Sequence, residues 1–226
     1  MKIKLPLLFL AATGAALAAE TPAQAIAAPA ACAQCQKAAA PADSPSDPSA
    51  KALATASAKD GQTFSKDSLY QLDGEFTDDS GRTFTLGELR SHPVVLSLFF
   101  ASCGYACPLI VTDMLALQDR LPVELRSETR FVLVSFDVNR DTPAALAHYR
   151  AERHLDKQWT LLHGNADAVR ELAALVGVKY KQEADGMFSH SNLLTVLNKQ
   201  GEIVHQRIGL TGGLDETAAA LVATGK

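Results

Sequence analysis

Val94-Val-Leu-Ser-Leu-Phe-Phe-Ala-Ser-Cys103-Gly-Tyr-Ala-Cys107-Pro-Leu-Ile-Val-Thr-Asp-Met114 opens on an apolar run too short to cross a bilayer. Rich in Val, Leu and Phe, the run reads as a strand covered on both faces, the mark of a parallel sheet interior. Cys103 and Cys107 follow it directly, with Pro108 behind them and Leu109, Ile110, Met114, Leu115 and Leu117 at helical spacing up to a second proline, Pro122. The cysteines therefore sit where a strand becomes a helix. Free N–H groups and the positive dipole end of a helix favour an anion, so a thiolate forms there more easily than in water. At helical geometry the two sulfurs share one face, close enough to grip one metal ion or, with a small backbone adjustment, to bond to each other.

Around this stretch, 226 residues with 47% hydrophobic content allow one ordinary domain plus extras. Lys2 and Lys4 precede an apolar run from Leu5 to Leu17, and Ala16 and Ala18 form an A-x-A cleavage pattern, so residues 1–19 read as a secretory signal peptide. That run is shorter than the ~20 residues of a spanning helix and contains Pro6 and Gly14, which argues against an uncleaved membrane anchor. The mature chain is then expected to have no stable membrane span and to lie in the periplasm, where cysteine pairs persist. Removing residues 1–19 takes away two lysines and no acidic residue, moving the formal charge from −4 to −6. Lys and Arg are scattered with no aromatic interleaving, which excludes nucleic acid as a partner.

Residues 20–64 form an Ala/Pro-rich leader whose composition, up to about residue 60, cannot bury enough apolar surface to offset the entropy of ordering. Within it lies Cys32-Ala-Gln-Cys35. No strand precedes this pair and no second ligand pair or haem-type histidine follows it. It reads either as a local disulfide without a role or as an accessory metal or electron relay that reaches the main site.

The folded part, residues 65–226, begins with a hairpin built from Leu69, Leu72 and Phe76, an Asp78-Asp79-Ser80-Gly81 turn, and Thr83-Phe84-Thr85. Leu86 to Leu89 suggests one helical turn. The Val94 strand and cysteine helix follow, then a second buried strand, Arg130 to Asp137. Asp141-Thr142-Pro143 starts a helix running to about His154, with proline at the first helical position. Trp159 to Leu162 reads as a short strand and Asn165 to Val176 as an amphipathic helix closed by Gly177. A loop, Gly186 to Asn192, leads into a strand, Leu193 to Asn198. A turn at Lys199-Gln200-Gly201 joins this to Glu202 to Ile208, and a helix over Leu214 to Val222 closes the chain. Strand–helix–strand units with short connections give parallel strands. The order implies an α/β, thioredoxin-like mixed sheet flanked by helices, with an N-terminal β-hairpin.

A structural disulfide is common in secreted proteins, yet one closing so short a loop as Cys103 to Cys107 adds little stability. A functional redox or metal pair is the stronger reading. Its spacing has one residue more than the C-x-x-C of thioredoxin-like redox enzymes. Of the six histidines, His148 and His154 fall on a predicted helix and His205 in a strand, ordinary structural places. His190 differs, because its polar loop lies where thioredoxins carry the cis-proline that faces the active cysteines. A group presented there faces the cysteine helix, which makes His190 a candidate ligand.

Cys-Gly-Tyr-Ala-Cys-Pro after an apolar strand, Ser-Phe-Asp-Val-Asn-Arg-Asp-Thr-Pro (135–143) some thirty residues later, and a lone Ser-His-Ser (189–191) before the penultimate hairpin together resemble the SCO/SenC family of copper proteins. The resemblance covers roughly Leu69 to Leu221, with Gly104 and Tyr105 standing where the family commonly has Pro and Asp. It implies a thioredoxin-like fold and copper, Cu(I) or Cu(II), bound through Cys103, Cys107 and His190. It also implies a role in supplying copper to a cuproenzyme such as cytochrome c oxidase, or in reducing that enzyme's cysteines. The partners it implies are a copper-dependent recipient and a copper donor protein or thiol reductant. Two thiolates and one imidazole form a soft, low-coordinate set that suits Cu(I), whereas zinc normally takes four ligands. Asp137, at the end of the second parallel strand, reads equally as a group orienting His190 or as a helix-capping or turn aspartate. The same residues also permit a thiol-disulfide oxidoreductase with Cys103 and Cys107 as its redox pair. A peroxide-reducing enzyme fits less well, because the threonine-rich motif of one is missing.

Overall fold

Strand β3, Val94–Phe99, is buried along its whole length, as a strand covered on both faces must be. Its one polar side chain, Ser97, donates to the Leu193 carbonyl at 2.9 Å, so no polar group is left unpaired inside. The computed structural model describes residues 64–225. The signal peptide, and almost all of the leader with Cys32 and Cys35, lie outside the described residues.

The first element among the described residues is a 3-10 turn, Leu69–Gln71, capped by the Ser68 hydroxyl. Strands β1, Phe76–Asp78, and β2, Thr83–Phe84, then pair antiparallel as the N-terminal hairpin. Leu69 and Leu72 thus belong to a turn before the hairpin rather than to its first strand. After a 3-10 turn at Leu86–Leu89 come β3, helix α1 (Ala106–Arg120), a short helix α2 (Val123–Glu128) and strand β4 (Arg130–Ser135). Pro122 ends α1 as expected but also serves as the N-cap of α2, which periodicity did not reveal.

Helix α3 (Pro143–Glu152) starts from Thr142, whose hydroxyl accepts from the Ala145 N–H at 3.3 Å, with proline in the first turn. His154 falls beyond its end at φ +53°, in a turn rather than on the expected helix. Strand β5 (Trp159–Gly164) and helix α4 (Ala166–Val176) follow, the latter closed by Gly177 at φ +79°, the left-handed conformation that favours glycine. Within the segment expected to be a loop, Gly186 to Asn192, residues Phe188–His190 form strand β7, which pairs with β6 (Tyr180–Gln182) as a small ribbon. Strands β8 (Leu193–Leu197) and β9 (Ile203–Ile208) pair as predicted, and α5 (Leu214–Thr224) completes the fold.

Seven strands form one mixed sheet in the order β2-β1-β5-β4-β3-β8-β9, and β6-β7 is a separate pair. Strands β3, β4 and β5 run parallel, with β1 antiparallel to β5 and β8 antiparallel to β3. Gly164 permits the β1–β5 pairing, because a Cβ there would meet the Phe76 ring at 2.7 Å. Helices α1 and α5 pack together, and α3 packs on β5. Arg150 on α3 pairs with Asp79 beyond β1, tying the hairpin to the domain. Arg207 on β9, 4% exposed on its side chain, pairs with Asp113 on α1 at 2.7 Å, which pins the cysteine helix to the far edge of the sheet.

The carboxyl ends of β3 and β4 and the start of β8 meet at one end of the sheet. Side chains that open α/β sheets use for ligands gather at such an end. The buried middle of β4 supports this arrangement. Leu133→Ala is expected to cost about 2–5 kcal/mol of stability, read as a lower midpoint in equilibrium urea denaturation, and a midpoint unchanged within error would show that β4 is not the centre of the core.

Candidate metal centre

Beyond β3 the chain turns sharply, with the Cys103 N–H donating to the Phe100 carbonyl at 3.2 Å. Helix α1 then begins without a side-chain cap, since its N-cap residue Tyr105 turns its ring to solvent, 74% exposed. The sulfur of Cys103 supplies what that cap lacks, accepting from the Cys107 N–H at 3.4 Å. Burial opposes ionisation of Cys103, but the N–H groups of Cys107, Tyr105 and Ala106, with the Cys107 thiol, outweigh it and hold the Cys103 thiol below its ordinary value. Cys107 lies one turn inward and is fully buried. Burial pushes its thiol strongly up, and the neighbouring Cys103 charge adds to this against a hydrogen bond from the backbone at Phe100. The pair is therefore unequal, with one accessible sulfur prone to ionise and one shielded sulfur that keeps its proton.

His190 ends strand β7 of the small ribbon, where Tyr180 stands opposite it. Aromatic packing attaches this ribbon to the main sheet. Phe136, just after β4, stacks on Tyr180 at 5.0 Å and meets Phe188 at 5.0 Å and the His190 ring at 5.1 Å. Phe100, just before the cysteine turn, packs on Phe136, Phe188 and edge-on against His190 at 5.9 Å. Such contacts constrain ring direction as well as burying area. The Nδ1 of His190 lies 3.2 Å from the Ser191 carbonyl, which orients Nε2 toward the sulfurs. Burial lowers the imidazole pKa and the Ser191 carbonyl opposes this only partly, so the ring is neutral at neutral pH and has a free lone pair.

Nε2 of His190 lies 3.8 Å from Sγ of Cys107. The ligand atoms of Cys103, Cys107 and His190 all fall within 4.8 Å of one another, and among the described residues no other group of three His, Cys, Asp or Glu side chains meets this condition. An ion held by bonds of roughly 2.0–2.3 Å separates its ligand atoms by about 3.5–4 Å in a three-coordinate site, so a single ion fits with little movement. The structure thus brings together the three residues singled out in the sequence, with His190 on a strand rather than in a loop.

Asp137 is a turn aspartate, buried to 1% exposure, whose carboxylate takes the Arg140 guanidinium and the Arg140 N–H. The ring nitrogens of His190 have Ser191 and Cys107 as neighbours. Asp141, read from the sequence as a helix-start residue, leaves the capping to Thr142 and is buried instead. Its Oδ2 accepts from the Ala101 N–H at 2.8 Å and from the Ser135 hydroxyl at 2.6 Å, joining the cysteine loop to the end of β4. Asp141 stands four positions past the predicted end of that strand, and its place in the sequence gave no sign of this tie. The other histidines lie in structural roles: His92 faces the Glu128 carbonyl, His163 the Asp141 carbonyl, His205 the Thr217 hydroxyl, and His148 stands beside Glu152.

Comparison with known proteins bears on this arrangement. The SCO1/SenC family model matches residues 64–223. The chain belongs to the SCO1/SenC family. Its SCO domain is 27% identical over 133 residues to a candidate copper-binding protein of Stutzerimonas stutzeri, covering 57% of this chain and 64% of that one. The chain spans 64–65% of the length of the first curated relatives it matches. Among solved structures, Arabidopsis thaliana ScoI with copper bound superposes with a TM-score of 0.60 at 20% identity, over 67% of this chain and 94% of that one. BsSco, described with a disulfide switch as a member of the Sco family of cytochrome c oxidase assembly proteins, gives 0.58 at 19% identity, over 72% and 98%. These likenesses establish the SCO, thioredoxin-like fold.

The inequality of the two thiols is directly measurable. Because alkylation follows the thiolate fraction, Cys103 of the reduced chain should react with iodoacetamide well before Cys107, with a midpoint below the ordinary thiol value of about 8.5. Peptide mapping across a pH series checks this, and in denaturing urea both cysteines should react alike with a midpoint back near that value. Equal folded-state rates for the two would contradict the helix-capped thiolate.

Proposed function

We propose that this chain is a periplasmic copper-binding protein that receives copper and hands it to a cuproenzyme. Cys103 and Cys107 are its thiolate ligands and His190 its third ligand. One observation carries the reading: two sulfurs and one neutral imidazole nitrogen converge within 4.8 Å of one another at the end of the sheet. Soft thiolate donors select Cu(I), and the imidazole nitrogen with room for an oxygen ligand accommodates Cu(II). Three ligands leave the ion incompletely enclosed, which suits passing it on more than storing it. The copper-binding relative and the copper-bound neighbours support the metal, and the oxidase-assembly neighbour supports cytochrome c oxidase as the recipient class. Residues 1–19, read as a signal peptide, support the compartment, and among the described residues no helix is long and apolar enough to cross a membrane.

Metal and redox state are linked in this scheme. Both thiols must lose their protons to bind copper, so loading releases protons. Loss of two electrons and two protons from Cys103 and Cys107 to an external acceptor makes a disulfide that cannot hold the ion.

The unequal thiols favour one second reading, a thiol-disulfide oxidoreductase that prepares the recipient's cysteines. The Cys103 thiolate would attack a sulfur of the recipient's disulfide and expel the other as a thiolate. Cys107 would then close on Cys103, releasing the recipient as a dithiol. The chain would end as its own disulfide and need an external dithiol to return.

Replacing His190 separates the two. Anaerobic titration of the reduced full chain is expected to give one Cu(I) per chain, and none after oxidation. In His190→Ala, affinity should fall roughly 100-fold or more, since even outer-shell changes cost about 10- to 100-fold, while exchange with a model disulfide persists. Copper bound by H190A with wild-type affinity and spectrum would overturn the ligand assignment. Disulfide exchange without specific copper binding in the wild type would favour the oxidoreductase.

A further inference from the structure

His190 belongs to a ribbon that shares no strand ladder with the main sheet, whereas Cys103 sits in the turn between β3 and α1 and Cys107 in the first turn of α1. The third ligand is therefore placed by whatever fastens the ribbon. On one side the aromatic rings of Phe100 and Phe136 do so. On the other stands Arg140. Its Nε is paired with the buried carboxylate of Asp137, and its Nη2 donates to the Gly186 carbonyl at 2.6 Å, in the turn between β6 and β7. The guanidinium carbon also lies 5.9 Å from the centre of the Phe188 ring, two residues before His190. One rigid fork thus spans the end of β4, the ribbon's turn and the strand that carries the histidine. A lysine, with a single charged nitrogen, cannot hold the carboxylate and the carbonyl from two separate atoms of a plane.

Arg140 touches neither sulfur nor imidazole among its hydrogen bonds and ion pairs. We infer that Arg140 is a positioning residue, clamped to Asp137, that holds the β6–β7 ribbon in place and so decides whether His190 joins Cys103 and Cys107 as a third ligand. The clamp makes the site three-coordinate when closed and leaves a two-thiolate site when released. This rests on the copper-binding reading above. Its consequence is a division of labour: the cysteines retain the ion in either state, and the ribbon governs how readily the ion leaves and which oxidation state is held.

The test compares the full-length wild type with R140A, R140K, H190A and the R140A/H190A double variant. Cu(I) affinity is read against a competing chelator, Cu(II) by thiolate-to-copper charge transfer and electron paramagnetic resonance, and ribbon opening by amide hydrogen exchange over residues 180–190 without metal. R140A should retain one Cu(I) per chain with affinity lowered about 10- to 100-fold, lose or shift the charge-transfer band, and exchange faster at Phe188 to His190. R140K should recover only part of each. Because Arg140 acts through His190, adding R140A to H190A should change copper binding no further. Wild-type affinity and spectrum in R140A would overturn the inference, as would an equal loss from R140A in the H190A background. Should unpaired Asp137 prevent R140A from folding, D137N/R140Q removes the charge and the reach together and should show the same losses. If the wild type binds no copper but R140A still loosens the ribbon, the functional reading fails and the clamp stands. If hydrogen exchange is unchanged, the clamp itself is refuted.

Discussion

The sulfur of Cys103 at the open end of α1 is the interaction on which the site depends. Helix α1 starts without a side-chain cap, and its first N–H groups turn to the sulfur instead. That contact draws the thiolate out at Cys103 while Cys107, one turn further in, stays shielded. It also requires that the helix begin where β3 ends, which is why the buried strand, the tight turn at Phe100 and the Asp141 carboxylate on the Ala101 N–H all bear on the chemistry. An ion reaching the site meets one sulfur already prepared and must displace a proton from the other.

The histidine enters under a different constraint. A neutral imidazole in an aromatic box binds metal without first giving up a proton, and burial against Phe100 and Phe136 provides that neutrality. Its ribbon hangs on ring packing and on one charged fork rather than on a strand ladder. The cysteines are thus held by the main sheet and its helix, and the histidine by a separate ribbon.

Much of this was legible in the residues. Strands β3 and β4 declared themselves by unbroken apolar runs, because covering both faces removes the need for polar alternation. Helix α4 carried its own start and stop in Asn165 and Gly177. Cys103, Cys107 and His190 were marked by position, each beside the end of a strand. Other features left no local signal. Strands β6 and β7 are three residues each and half exposed, too short for periodicity to show. Asp141 looked like a helix cap because Asp, Thr and Pro in succession are all cap-forming, and only tertiary packing gave the role to Thr142 and drew Asp141 inward. Asp137 was placed at the correct end of the sheet with two readings open, and the structure shows the turn aspartate, its carboxylate accepting from the Arg140 N–H and pairing with the Arg140 guanidinium, a reach that spacing does not define.

X-ray absorption at the copper edge on the reduced, anaerobically loaded full chain tests the central claim most directly. The account predicts one ion with two sulfur neighbours and one nitrogen neighbour, the nitrogen contribution disappearing in His190→Ala. A shell of sulfur alone, or one that survives loss of Cys103 and Cys107 by drawing on Cys32 and Cys35, would contradict the assignment of the site to the SCO domain.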